Sequence, residues 1–169
     1  MAVVAGSGAG LRAVTLGATI VQLRGPGLSA RQLQLEAEAL IAKSSVPVLI
    51  SSRCDIALAA GAAGVNLPEK DLPVADARRL LGQRLVGRSV HSEGAAREAE
   101  DQGADFVLFG PVWASPTHSG RPAQGLDALK RVVGAVTIPV LAIGGVTSER
   151  IDDCLAAGAQ GYAAIRLFS

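Results

Sequence analysis

The sequence has little aromatic material: among 169 residues there are three Phe, one Trp and one Tyr, 3% in all. A core must therefore be built from Val, Ile, Leu and Ala, the composition of strands covered on both faces. Cysteine is equally scarce. Cys54 and Cys154 lie far apart, each in an expected helix, and read as buried reduced thiols of a cytoplasmic protein rather than a disulfide or a metal pair. No charge dominates, with 16 Lys and Arg against 15 Asp and Glu, which argues against nucleic acid or an acidic membrane as main partner. No apolar run is long enough to span a bilayer. Met1-Ala2-Val3-Val4 runs into Gly6-Ser7-Gly8 without the basic segment of a signal peptide. With only two histidines, His91 and His118, and no third ligand placed beside them, a histidine metal site is not expected.

What the chain does have is glycine, 20 residues, in a weak internal repeat. Gly17-Ala18-Thr19-Ile20-Val21, Gly61-Ala62-Ala63-Gly64-Val65, Gly103-Ala104-Asp105-Phe106-Val107 and Gly158-Ala159-Gln160-Gly161-Tyr162 share one pattern. Each predicts a helix ending on a left-handed glycine, with a short apolar strand directly after it. Further apolar runs at residues 46–50, 85–90 and 138–143 supply more strands, with Pro47 and Pro139 at their starts, where a missing N–H costs no ladder bond. Helical patterns fall between them: Ser29 caps one reaching about Ser44, and others cover 55–60, 74–81, 92–102, 126–136 and 148–157, with Ser92 as a second cap.

Strands near residues 2–4, 19–23, 46–50, 64–67, 85–90, 105–109, 139–143 and 161–165 make eight. Short strands alternating with helices predict an α/β fold with a parallel sheet, and eight of them favour a closed (β/α)8 TIM barrel over an open sheet. The whole chain, 1–169, reads as one such domain, with a shortened first strand and no last helix. About 250 residues is typical of this barrel. A bare apolar wall between the last and first strands is therefore expected, to be covered in a homodimer if the ends are native.

Ligands of such barrels sit on the loops at the carboxyl ends of the strands. That rule selects Gln22 and Arg24, Ser51 to Arg53, Asn66 to Asp71, Ser89 and His91, Gly110 to Arg121, Gly144 and Gly145, and Arg166. Gly144-Gly145 ends the seventh strand where backbone N–H groups suit a phosphate. In the long loop after the sixth strand, Ser115 and Thr117 with His118 and Arg121 could grip a phosphate or pyrophosphate. Arg24 reads either as a ligand contact or as half of a salt bridge across the mouth, and Asp71 either as functional or as the cap of the next helix. His91 reads as a packing residue or a binding one.

Several of these motifs together resemble the thiamine phosphate synthase/TenI family of thiamin biosynthesis. They are Val21-Gln22-Leu23-Arg24, Arg53-Cys54-Asp55-Ile56-Ala57-Leu58, Gly87-Arg88-Ser89-Val90-His91-Ser92, the stretch from Gly103 to Val112, Pro116-Thr117, and Ile138 to Gly145. The resemblance implies a small phosphorylated ligand such as thiazole phosphate. In the synthase branch a pyrimidine pyrophosphate ionises with Mg2+ help and the thiazole nitrogen captures the cation. On that branch Gln22, Arg24, Ser89, Thr117 and Gly145 match substrate-binding positions, Ser115 stands for a usual Thr, and Asp71 would be the metal ligand. Departures are Ser51-Ser52 for an Asn-Asp pair, Gly25-Pro26-Gly27 where a Lys is usual, His118 for a Lys, and Arg166 at a Ser and backbone phosphate site. Gly87-Arg88-Ser89-Val90-His91-Ser92 and Asn66-Leu67-Pro68 look more like the TenI branch, which isomerises thiazole carboxylate phosphate without a cofactor. Its histidine aligns with Pro111, and His118 is the expected substitute acid/base. TenI-like isomerisation is thus the leading expectation. A synthase and a catalytically inert phosphate-binding or regulatory homologue are the alternatives.

Overall fold

A computed structural model of the chain describes residues 1–114 and 122–168. Its strands are β1 (Ala2–Val4), β2 (Val21–Leu23), β3 (Val48–Ser51), β4 (Gly64–Leu67), β5 (Leu85–Val90), β6 (Phe106–Phe109), β7 (Val140–Ile143) and β8 (Gly161–Ala163). Between them run α1 (Ser7–Thr15), α2 (Ala30–Ile41), α3 (Cys54–Ala59), α4 (Val74–Leu81), α5 (Glu93–Asp101), α6 (Gly125–Ala135) and α7 (Ile151–Ala156).

The repeat seen in the sequence is a repeat of helix endings. Gly17, Gly61, Gly103 and Gly158 all have φ between 70° and 93°. The residue after each glycine donates its N–H back into the helix: Ala18 to Ala13, Ala62 to Ala57, Ala104 to Ala99 and Ala159 to Cys154, at 2.9–3.1 Å. This six-to-one closure satisfies a terminal carbonyl and turns the chain onto the next strand at once.

All eight strands are parallel and pair in chain order, β1 through β8. A bridge from Ala2 to Ala164 brings the sheet round into a barrel, with Val3 N–H donating to Ala164 O and Ala164 N–H to Met1 O. Pro47 and Pro139 stand immediately before β3 and β7. Their carbonyls take the N–H groups of Val21 and Val107. Because side chains alternate along a strand, one parity faces the helices and the other the barrel axis. Val21, Leu23, Ile50, Val65, Leu67, Val107 and Phe109 belong to the outer core. Met1, Val3, Leu49, Phe106, Leu108 and Ala163 form a separate inner cluster. Phe106 fits inside because its neighbour Gly87 has no side chain: a Cβ there would lie 2.1 Å from the Phe106 ring.

Three local expectations change. Residues 7–15 form a helix that the sequence reading did not delimit. The helix expected over 148–157 begins as a 3-10 turn, Ser148–Arg150, before α7. The wall beside β8 is not bare, because a 3-10 turn, Arg166–Phe168, packs against α1 in place of a helix. Phe168 is buried there and stacks on Tyr162 with ring centroids 6.4 Å apart. Cys54 and Cys154 are buried and unpaired, as expected.

Candidate functional site

Strand alternation decides which polar groups meet at the mouth. Gln22 lies between outward Val21 and Leu23, Asn66 between Val65 and Leu67, and Ser51 follows outward Ile50. All three therefore point along the barrel axis at its carboxyl end. Together with Arg24, Lys70 and Ser89 they line a cavity of about 360 Å³. Gln22 and Asn66 are the only polar residues buried below 5% exposure among those described, and the Oε1 of one and Oδ1 of the other have no hydrogen-bond partner. Buried acceptors left unpaired are costly, so this pair marks a place for a donor group brought by a ligand or water. Asn66 Nδ2 donates to Ser89 Oγ at 3.1 Å, tying β4 to β5 inside the barrel.

Arg24 and Lys70 are exposed at the rim, and neither forms an ion pair among the described residues. The salt bridge considered for Arg24 is therefore absent, and its charge faces the cavity. His91 lies there too. Its Nδ1 is 2.7 Å from Glu69 Oε2, and Glu69 Oε1 accepts the His91 backbone N–H at 3.0 Å. Glu69, in the loop after β4, was covered by the positional rule but not singled out. Only its cross-strand partner gives it a role, and linear spacing does not reveal that.

A second cavity, about 270 Å³, adjoins the first, sharing Ile143 and Ile165 as walls. Gly144, Gly145, Thr147, Arg150 and Arg166 line it. The glycine pair has positive φ, 93° and 66°, and is also a point of close approach. A Cβ on Gly144 would lie 2.6 Å from Pro111, and one on Gly145 2.7 Å from Trp113 Cβ. Trp113 N–H donates to Gly144 O at 3.0 Å. Arg150 donates to Gly145 O at 2.7 Å and its guanidinium lies 5.0 Å over the Trp113 ring, so both glycine carbonyls are engaged on the loop side. Arg150 is a cation of this corner that the sequence reading passed over.

Ser115, Thr117, His118 and Arg121 lie outside the described residues. Asp71 is not among the residues lining either cavity. Its Oδ1 accepts the N–H of Leu72, and α4 is capped by no side chain, so it closes its own loop rather than the helix. Magnesium, which goes with the synthase branch, is usually held by one or two carboxylates together with substrate phosphates. Ser51 and Ser52 offer hydroxyls where carboxamide and carboxylate are usual, so Asp71, whose Oδ1 accepts from Leu72, is the one carboxylate of that set. No described helix is long and apolar enough to cross a membrane.

Fold and site together define a (β/α)8 barrel with two joined cavities over the carboxyl ends of its strands, one of them at the strand-seven and strand-eight corner where phosphates bind in such barrels. The chain belongs to the family described as thiamine monophosphate synthase, whose model matches residues 9–168. It is 40% identical over 157 residues to the thiamine-phosphate synthase of Chloroflexus aurantiacus, covering 90% of this chain and 73% of that one. Against the thiamine-phosphate synthase of Methanoculleus marisnigri it is 41% identical over 154 residues, covering 88% and 73%. The solved thiamine phosphate pyrophosphorylase of Pyrococcus furiosus superposes with a TM-score of 0.88 at 30% identity, over 96% of this chain and 81% of that one.

Proposed function

We propose that this barrel joins a pyrimidine pyrophosphate to a thiazole phosphate, the synthase activity, in preference to the isomerisation that its sequence motifs first suggested. The observation that carries this reading is the pair of joined cavities. A condensation needs two substrates side by side, and the shared walls at Ile143 and Ile165 put the two volumes in contact. The glycine corner with Arg166 suits the phosphate of the thiazole. Arg24 and Lys70 in the larger cavity suit the pyrophosphate leaving group, whose developing charge is best met by fixed cations. Gln22 and Asn66, with acceptors to spare, suit a pyrimidine that offers N–H groups. Ser89 holds Asn66 in place. The names of the relatives support the same reading.

The test is direct. The purified chain is given thiazole phosphate and pyrimidine pyrophosphate, with and without magnesium, and thiamin phosphate and free pyrophosphate are measured. Stoichiometric appearance of both is expected. No product in either condition would overturn the reading.

A second reading, thiazole isomerisation, has its own observation. The Ser51-Ser52 pair removes one of the carboxylates that usually hold a metal, whereas the mouth retains a carboxylate–imidazole pair. Conversion of thiazole carboxylate phosphate alone, without pyrimidine or metal, identifies it.

A further inference from the structure

We infer that Glu69 and His91 form a proton-transfer pair for a bound heterocycle. This rests on the isomerisation reading of the site and offers, among the described residues, an acid/base group in place of His118, since Pro111 stands where the usual histidine would be.

The geometry is that of an oriented imidazole. Glu69 Oε2 sits 2.7 Å from His91 Nδ1, and both side chains are a quarter exposed. A carboxylate on Nδ1 keeps the proton there in the neutral ring, sets the ring plane, and leaves Nε2 as the acceptor. Nε2 has no partner among the described residues, and His91 lines the larger cavity. The carboxylate is itself held, because its other oxygen accepts the His91 backbone N–H at 3.0 Å. An independent sign that this cavity receives a ligand is the pair of unpartnered buried acceptors, Gln22 Oε1 and Asn66 Oδ1, on its wall.

The step balances without a co-reactant. His91 Nε2 removes a proton from a ring carbon of the thiazole: the C–H bond breaks, an N–H bond forms, and the electron pair passes into the conjugated ring system. Glu69 neutralises the imidazolium. The same N–H then breaks as the proton is delivered to a second carbon, which restores the neutral ring, and Glu69 stays ionised throughout. No metal or oxidant is involved, and the phosphate serves only to hold the molecule.

The test uses thiazole carboxylate phosphate as probe, with isomerisation and deuterium uptake from D2O followed by NMR. His91→Asn is expected to lower kcat by about 100-fold or more with KM changed less than about threefold, the size of a lost general base. Glu69→Gln keeps an acceptor for the backbone N–H but loses the negative charge, so a smaller fall in kcat, roughly tenfold, is expected with the fold intact. Added imidazole should restore part of the rate to His91→Gly, which a merely structural histidine would not allow. The proposal is overturned if His91→Asn turns over at the rate of the unmodified chain, or if its loss lies in KM and imidazole restores nothing. If the unmodified chain neither isomerises nor exchanges the probe, the isomerisation reading itself falls, and the proton-transfer pair with it.

Discussion

Arg24 stands at the end of a strand whose other residues are buried, with its charge turned to the larger cavity and no carboxylate to hold it among the described residues. A cation in that position contributes nothing to the core, so its removal should be read in binding and not in stability. Arg24→Gln is expected to raise the KM for pyrimidine pyrophosphate by about 10- to 100-fold, the worth of one charged hydrogen bond, with the urea midpoint unchanged. Gly87 behaves in the opposite way. Its missing side chain is the space that the Phe106 ring occupies, and Gly87→Ala should cost about 1–3 kcal/mol by overpacking. Urea unfolding measures the loss, and Phe106→Leu in the same chain should recover part of it. Of these two residues only Arg24 was legible in the sequence. A charge ending an apolar strand is conspicuous, whereas a glycine inside a strand gives no sign of which ring needs the room. Glu69 was obscured for a similar reason, because what makes it notable is a histidine 22 positions away, just past the end of the next strand.

At the scale of elements, the four glycine-ended helices were legible because a left-handed closure is written locally, in the glycine and the residue after it. Helix α1 was not. Its N-cap is Gly6, which has no side chain to offer, and glycines at 8 and 10 weaken its propensity. The cap comes from another element: Glu36 of α2 accepts the Ser7 N–H at 2.6 Å, and Gly10 lets Leu40 of α2 pack against the α1 backbone. A second carboxylate, Glu100 of α5, accepts N–H groups of Thr137 and Ile138 before β7. The Ser7 hydrogen bonds hold Glu36 below its ordinary pKa, and those from Thr137 do the same for Glu100. A carboxyl lowered in the folded state binds fewer protons there than in the unfolded chain. Its stabilisation is complete above the unfolded value of about 4.3 and is lost as pH falls through the lower folded value. The urea midpoint should therefore drop on acidification through that window. Glu36→Gln with Glu100→Gln should start lower and give a flatter curve. Both carboxylates are partly open to solvent, so the difference should shrink in high salt.

For the molecule as a whole, the count of eight short strands was enough to read a barrel, since parallel pairing and right-handed crossovers leave few ways to bury that many apolar strands. How the last strand would meet the first was not legible. The answer depends on Phe168, a residue in a segment too short to show any periodicity, which the structure places in the core beside Tyr162. Phe168→Ala should cost about 3–5 kcal/mol, the usual range for a buried aromatic, and should expose the flank of α1. The checks are the urea midpoint and the elution volume on gel filtration, where concentration-dependent association is expected once that flank is uncovered. Asp71, which the sequence left as functional or as a helix cap, shows the same limit: only coordinates reveal that its Oδ1 accepts the N–H of Leu72 and caps no helix.

The closing bridge between Ala2 and Ala164 gives the barrel one place unlike the rest. Every other neighbouring pair of strands shares a ladder of three or four residue pairs, and this one has a single bridge. Amide protons at Val3 and Ala164 should exchange with solvent through openings far smaller than global unfolding, while those of β4 to β6 wait for the whole domain. The larger cavity borders that join, since Val3 and Ile165 are among its walls. A ligand that bridges from Val3 to Ile165 would act as a clasp, slowing exchange at the join before it slows it anywhere else.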